Sequence, residues 1–144
     1  MEQHRPEIEQ LHDLSAPPVV FPGQRGPESA YGVAFDLLAR RSPSDALTVL
    51  ERALAQEPDN IGLRTLRAWA WMMRAQLGKA EDELAALVDE QPSDDWSRHA
   101  LGRVLERQNR LEEALPHLRL AAAMSGDPEH EAAMLRVERQ VLGL

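Results

Sequence analysis

Apolar residues recur along most of the chain at intervals of three and four positions, which places them on one face of an α-helix. After Ser42, for example, Ala46, Leu50 and Ala53 lie at positions i, i+4 and i+7. Short groups of turn-forming residues separate one amphipathic segment from the next. The pattern predicts a series of short, paired helices and therefore an all-α fold.

This pattern repeats every 34 residues. The period divides the chain into three units, residues 27–60, 61–94 and 95–128, each with two amphipathic segments. Pro58 and Pro92 lie near the ends of the first two units, where a proline stops the second helix and turns the chain. The same step separates Ala46, Ala80 and Ala114; Leu50, Leu84 and Leu118; and Ala53, Leu87 and Ala121.

Two segments carry the signals of a helix start. Residues 42–45, Ser-Pro-Ser-Asp, offer an N-cap serine, a proline at the first helical position and an acidic residue at the third. Residues 127–129, Asp-Pro-Glu, repeat these features before a final amphipathic segment, residues 129–141. We expect that segment to be a C-terminal capping helix that covers the end of the array.

Residues 1–26 lie outside the repeat and are rich in proline. We therefore predict a leader, partly extended, ahead of a single repeat domain over residues 27–144. The leader is either a mobile chain end or a docked segment. In the second interpretation the apolar run of residues 19–21, bounded by prolines, lies in a groove of the molecule or of its partner.

The composition narrows the possible partners and locations. A net charge of −8 and a pI near 5.1 repel nucleic acid and anionic membrane surfaces, so we expect neither as a partner. No stretch approaches the roughly 18 consecutive apolar residues of a membrane span, and the first residues lack the pattern of a signal peptide. We therefore expect a cytoplasmic protein. The excess of arginine and alanine is typical of a GC-rich, bacterial genome.

The residue types that usually carry catalysis or bind metals form no motif in the sequence. The chain has no cysteine, and its five histidines are scattered without a His-x-x-x-His pair. Neither a glycine-rich phosphate loop nor a Gly-x-Ser-x-Gly elbow is present. The acidic run of residues 81–83 is interpreted as a solvated helix start. We expect no enzymatic activity, no cofactor and no metal.

The third unit has the fullest set of characteristic residues, namely Leu101-Gly102, Leu105, Ala114, Leu118 and Ala121. They resemble the tetratricopeptide repeat, in which a Leu-Gly pair, a large residue three positions later and a later alanine hold a helical hairpin together. The corresponding matches are Val33-Ala34, Leu37 and Ala46 in the first unit, and Ala68, Trp71, Leu77 and Ala80 in the second. The resemblance covers residues 27–128 and implies a right-handed solenoid of three helical hairpins with a C-terminal capping helix.

Two arginines depart from the family pattern. Arg64 and Arg67 occupy positions where the family usually has large apolar residues. We therefore expect the first helix of the second unit to be rotated or shifted by one residue. This leaves open whether Trp69 or Trp71 faces the groove.

The resemblance also implies which side chains line a groove, because the first helices of stacked hairpins form a concave surface. These are Tyr31, Phe35 and Leu38 in the first unit, Thr65, Trp69, Met72 and Met73 in the second, and Trp96, His99, Arg103 and Arg107 in the third. Aromatic residues and methionine suit an adaptable protein-binding surface. Packing between hairpins is the alternative role for each of them. Arg98, Arg103 and Arg107 form a basic cluster that either binds an acidic group or is simply solvated.

The predicted function is a protein–protein interaction module that binds an apolar peptide or helix in its groove, as an adaptor or chaperone-like protein. Tyr31 and Phe35 stand where a carboxylate-binding subgroup of the family has lysine and asparagine, which favours a hydrophobic ligand. One alternative is a secretion-type chaperone for an unfolded client. Another is a regulatory subunit that docks on a partner enzyme and modulates it.

Overall fold

The computed structural model describes residues 14–18 and 29–144. Within these two ranges the secondary structure consists of seven α-helices and no strands, which confirms the predicted all-α class. None of these helices combines the length and the apolar character that crossing a bilayer requires. The helices are α1 (Ala30–Ala39), α2 (Pro43–Gln56), α3 (Ile61–Met73), α4 (Leu77–Glu90), α5 (Asp95–Arg107), α6 (Leu111–Ser125) and α7 (Pro128–Leu142).

The described residues form two compact units, one within residues 16–83 and one made of residues 14–15 and 84–144. In the first unit α1 packs against α2 and α3, and α2 also packs against α3. In the second unit α6 packs against both α5 and α7. The division into a leader over residues 1–26 and a repeat domain over residues 27–144 stays a prediction, and the run of residues 19–21 lies outside the described residues.

The turn between the two helices of each hairpin has the same backbone geometry in all three repeats. Arg41, Ala75 and Asn109, each 34 residues from the next, have left-handed backbones with φ of 63°, 56° and 61°. A left-handed backbone costs a non-glycine residue roughly 1–2 kcal/mol. Because the same costly conformation recurs at the same position of all three repeats, it is a property of the repeat and not of one local sequence. In each turn the next residue donates its backbone N–H to a carbonyl of the preceding helix: Ser42 to Leu37 (2.8 Å), Gln76 to Trp71 (2.9 Å) and Arg110 to Leu105 (2.9 Å).

The first helix of each hairpin begins at a side-chain cap. The oxygens of Ser29, Asn60 and Asp94 accept hydrogen bonds from backbone N–H groups inside α1, α3 and α5. Asp127 caps α7 in the same way, as its sequence indicated. Ser42 occupies the cap position of α2 with Pro43 following it, but its side chain makes no cap hydrogen bond. The predicted Ser42 cap is therefore wrong in this respect, because the chain enters α2 directly from the left-handed turn.

Small residues allow the helices of a hairpin to approach closely. Ala46, Ala80 and Ala114 are fully buried in α2, α4 and α6. In the third hairpin Gly102 of α5 faces Leu118 of α6, and a β-carbon added at Gly102 would lie 2.5 Å from the Leu118 Cδ2 atom. The Leu-Gly pair of the sequence pattern therefore marks the helix crossing.

The structure gives a different reason for the two arginines that break the apolar pattern in α3. This helix begins and ends 34 residues before α5, so the expected shift by one residue is wrong. Arg67 donates to Glu83 of α4 from both Nε (3.0 Å) and Nη2 (2.6 Å), and Arg64 Nε lies 3.6 Å from the same carboxylate. An ionic contact thus stands where the resemblance stated above implied large apolar residues.

Glu83 also corrects the interpretation of the acidic run. The helix α4 begins at Leu77, so residues 81–83 lie beyond its first turn. Asp82 is exposed, as expected, but the side chain of Glu83 is only 10% exposed. Glu83 therefore belongs to the interior of the hairpin, where it neutralises Arg64 and Arg67.

Replacing Glu83 by alanine should lower the free energy of unfolding by roughly 3 kcal/mol, because Arg64 and Arg67 lose their buried carboxylate. The other carboxylate near Arg67, that of Glu51, is 3.8 Å away and 56% exposed, so it compensates only weakly. The matched control is Asp82→Ala, one residue earlier and exposed, which should change stability by less than about 0.5 kcal/mol. Urea unfolding followed by circular dichroism measures both. Equal effects of the two substitutions would contradict the buried role of Glu83.

Replacing Gly102 by alanine should destabilise the protein by about 1–3 kcal/mol, because the new methyl group must push Leu118 out of a filled crossing. Gly78 provides the control, since a β-carbon there would meet nothing within 4 Å. Gly78→Ala should leave stability unchanged or raise it by up to about 0.5 kcal/mol through helix propensity. Thermal unfolding of the two variants checks the contrast, and an equally stable Gly102→Ala protein would disprove the tight crossing.

Candidate functional site

The side chains predicted to line a groove come from α1, α3 and α5, the first helices of the hairpins. The first compact unit contains those of α1 and α3, and the second contains those of α5. Most of them are buried: Tyr31, Leu38, Thr65, Trp69, Met72, Trp96, His99 and Arg103 have at most 6% of their surface exposed, whereas Phe35, Met73 and Arg107 are half-buried.

Three aromatic residues of the first unit form what we call the aromatic cluster: Tyr31 and Phe35 of α1 and Trp69 of α3. The Phe35 ring centroid lies 6.3 Å from that of Tyr31 and 6.0 Å from that of Trp69. Such distances are typical of favourable aromatic pairs. Phe35 stands between two buried rings and is itself half-buried, so its ring is held in place while part of it reaches the surface.

The contacts of the two tryptophans of α3 distinguish their roles. Trp69 meets Phe35 of α1 and is 6% exposed. Trp71 instead carries two cations against its ring, the Arg67 guanidinium at 5.0 Å and the Lys79 ammonium at 6.0 Å from the ring centroid. Trp69 is therefore the tryptophan that shares a face with Phe35.

Leu38, Thr65 and Met72 serve the interior of the first unit. Leu38 and Met72 are each 1% exposed, and the Thr65 hydroxyl donates to the Ile61 carbonyl within α3 at 2.9 Å. Met73 is half-buried next to them in the chain. In this unit the surface that a partner can reach on the predicted residues therefore belongs to Phe35 and Met73.

In the second unit the chain itself covers the predicted face of α5. The Trp96 indole Nε1 donates to the Ser15 carbonyl at 2.8 Å. Ser15 in turn donates to Glu129 of α7, from its hydroxyl at 2.5 Å and from its backbone N–H at 3.3 Å. Leu14 beside it is 6% exposed. Ser15, which is held by Glu129, thus covers Trp96, although the three residues are far apart in the sequence.

His99 is fully buried in the second unit against His130 of α7. The two imidazole rings stack with centroids 4.0 Å apart and an interplanar angle of 15°. The Ser125 hydroxyl lies 2.8 Å from His130 Nδ1, whereas neither ring nitrogen of His99 has a hydrogen-bond partner among the described residues. The nearest carboxylate oxygen, that of Glu129, is 3.9 Å from His99 Nε2.

The surroundings of His99 keep it neutral. Burial, and then the charges of His130, Arg103 and Arg136, lower its pKa to about 3. A charged imidazole at this position would be shielded from water, and the Glu129 carboxylate, 3.9 Å from Nε2, is too far away for a hydrogen bond. The stacked histidine pair is therefore part of the packing between α5 and α7.

The basic cluster expected from Arg98, Arg103 and Arg107 is largely engaged within the protein. Arg103 Nε lies 3.5 Å from the carboxylate of Glu106, and Arg98 donates to the Pro92 carbonyl at 3.3 Å. Arg107 also has an interaction within the chain. These contacts compete with any acidic partner group.

Arg136 of α7, which the sequence did not point to, lies closer to Glu106 than Arg103 does. It donates to the two carboxylate oxygens of Glu106 from Nε (2.7 Å) and Nη2 (2.8 Å). This hydrogen bonding raises the pKa of Arg136. Two arginines, Arg103 and Arg136, thus share one carboxylate, and the bidentate pair ties α7 to α5.

Sequence reasoning missed Ser15, Glu129 and Arg136, because none of them belongs to the repeat pattern. Glu129 was visible only as an acidic residue in the first turn of the last helix. That position alone explains an acidic residue by the helix dipole, which hides its contact with Ser15. Among the described residues, no group of three or more acidic residues and histidines has an arrangement that could hold a metal ion.

The buried His99 predicts a pH dependence of stability. In the unfolded chain His99 binds a proton below its ordinary pKa of 6.5, whereas in the folded protein it does so only near pH 3. The unfolded state therefore binds more protons in this window, and the free energy of unfolding should fall as the pH falls from 6.5 toward 3, by up to about 4 kcal/mol from this group.

Urea unfolding of the wild type and of His99→Phe at pH 7, 6, 5 and 4 measures this effect, and the variant should show the shallower slope. His117→Gln is the comparison, because the pKa of His117 is also lowered, by partial burial and by Arg98. Its slope should change less than that of His99→Phe. Parallel curves for wild type and His99→Phe would mean that His99 is not held neutral.

Comparison with known proteins relates this fold to one family. The tetratricopeptide repeat family model matches residues 37–101. None of the curated proteins compared with the chain matches it in sequence. The solved structure of MamA (AMB-1) is similar in fold, with a TM-score of 0.67 and 20% sequence identity. The similarity covers 78% of this chain and 62% of the MamA chain, so this chain spans less than two thirds of MamA. The sequence match shows tetratricopeptide repeats within residues 37–101, and the shared fold shows a helical solenoid of the same kind. Repeats of this kind support a protein–protein interaction module.

Proposed function

We propose that the protein is an adaptor or chaperone-like protein that holds an apolar peptide or helix against α1 and α3, the first helices of its first two hairpins. The observation that supports this most directly is the aromatic cluster, in which the half-buried Phe35 stands between the buried rings of Tyr31 and Trp69. A partner side chain that covers the remaining part of Phe35 would bury apolar surface. Burial of this kind stabilises a complex by about 25 cal/mol for each Å².

The neighbours of Phe35 make it a suitable anchor. Because Tyr31 and Trp69 already hold the ring, binding costs little further loss of side-chain freedom. Rigid aromatic side chains at the centre of an interface commonly carry much of its binding energy. Phe35 therefore supplies a fixed contact in this proposal.

Met73 supplies an adaptable contact. It is half-buried at the end of α3, and its unbranched side chain can change rotamer to fit different partners. A rigid ring together with a flexible thioether selects ligands for their apolar character and not for a particular sequence. This combination suits an adaptor or a client holder.

Replacing Phe35 by serine should weaken the binding of apolar peptides at least about tenfold, the factor that corresponds to 1.4 kcal/mol. The probes are peptides selected on the wild-type protein from a displayed random library, and fluorescence anisotropy measures their affinity. Trp69 is a poor target, because it is 6% exposed and its truncation would open a cavity in the core.

Leu120→Ser is the matched control, since Leu120 is a large apolar residue on α6 that is 44% exposed. It should bind the selected peptides as the wild type does, with unchanged helical content in both variants. If Phe35→Ser keeps full affinity, or if both substitutions weaken binding equally, the proposed role of the aromatic cluster is wrong.

A further inference from the structure

Three hydrogen bonds in the second unit converge on one residue, Ser15. The Trp96 indole donates to its carbonyl oxygen, and the Glu129 carboxylate accepts from its backbone N–H and from its hydroxyl. We call Trp96 together with Glu129 the serine site. The site therefore contacts every polar group of a serine residue, from two different helices, α5 and α7.

The geometry distinguishes serine from other residues. One carboxylate oxygen of Glu129 accepts from the backbone N–H at 3.3 Å, which any residue except proline can supply. The other oxygen accepts from the hydroxyl at 2.5 Å, which an alanine or an aliphatic residue cannot supply. Hydrogen bonds to a charged acceptor are about twice as strong as neutral ones. The hydroxyl is therefore the feature that the site selects.

An apolar residue precedes the serine. Leu14 is only 6% exposed, although it belongs to a segment without regular secondary structure. Ser15 is exposed to solvent and is held by the three hydrogen bonds described above. The segment is thus bound as a peptide is bound, with one side chain buried and the next one fixed by polar contacts. An aliphatic residue followed by serine is the chemistry that fits.

We propose that Leu14–Ser15 occupies, within its own chain, a subsite for a partner segment of the same chemistry, an aliphatic residue followed by serine. This inference rests on the proposed function, because it assigns a second recognition element, on α5 and α7, to the same interaction module. The tethered segment competes with the partner, and its effective concentration is on the order of millimolar for a short connection. A partner reaches Trp96 only by displacing Ser15, so the protein carries its own inhibitor of this subsite.

The three tryptophans of the chain allow a direct test, because each contributes one indole N–H signal to a ¹⁵N-correlated NMR spectrum. The full-length protein is studied as wild type and as the double variant Leu14→Asp with Ser15→Ala. Trp96→Phe assigns the Trp96 signal. We expect this signal to move in the double variant, because its hydrogen bond to Ser15 is lost, while the signals of Trp69 and Trp71 stay in place.

The probe is a synthetic peptide with the sequence of residues 11–18, added at concentrations of about millimolar. It should return the Trp96 signal of the double variant toward its wild-type position and leave the wild-type spectrum unchanged. A control peptide has alanine in place of the serine that corresponds to Ser15. It should restore the Trp96 signal only at a concentration at least about tenfold higher, because it lacks the charge-assisted hydrogen bond of the hydroxyl.

Three results would overturn the inference: a Trp96 signal that stays in place in the double variant, a double variant that does not respond to the peptide, or equal responses to the serine and alanine peptides. The library-selected peptides that test the aromatic cluster give the separate readout. If they still bind with a dependence on Phe35, the failure concerns the serine site alone and the proposed function stands.

Discussion

The close crossing of two helices is the constraint on which each hairpin depends. At the crossing of α5 and α6 there is no room for a β-carbon on Gly102, because Leu118 already fills the space. Fully buried alanines occupy the repeated position in the second helix of every hairpin. A crossing this tight fixes the rotation of both helices about their axes. The direction of the other side chains on α5, including Trp96, follows from it.

The same constraint explains how α3 accepts two arginines. With its rotation fixed, α3 directs Arg64 and Arg67 toward α4, where Glu83 meets both guanidinium groups. A buried ion pair of this kind contributes little net stability compared with apolar packing, but it penalises any arrangement that separates the charges. The contact therefore favours one pairing of α3 with α4.

The fold could be predicted from the sequence because its signals are local and periodic. The 34-residue step of the alanines and leucines and the prolines after the second helices lie within short windows, and they led to the helical class. Apolar spacing alone cannot tell a groove from an interior. The spacing therefore could not distinguish Tyr31, which is buried, from Phe35, which is half-buried and lies one helical turn further along α1.

The contacts that cover α5 could not be predicted in this way. Ser15 and Glu129 are 114 residues apart, and neither belongs to the repeat, so no periodic signal connects them. The pairing of Glu83 with two arginines was hidden for a similar reason, since an acidic residue near a helix start has a simpler explanation. Charged and polar contacts depend on side-chain geometry, which a one-dimensional pattern does not contain.

The central claim is that a partner protein binds at the aromatic cluster of α1 and α3 through Phe35. Site-specific photocrosslinking in cells that make the protein tests it most directly, with a benzophenone side chain placed at Phe35 or, as control, at the exposed Leu120. We predict a discrete crosslinked partner from Phe35 and none from Leu120. The same partner from both positions, or a partner from Leu120 alone, would place binding elsewhere on the molecule.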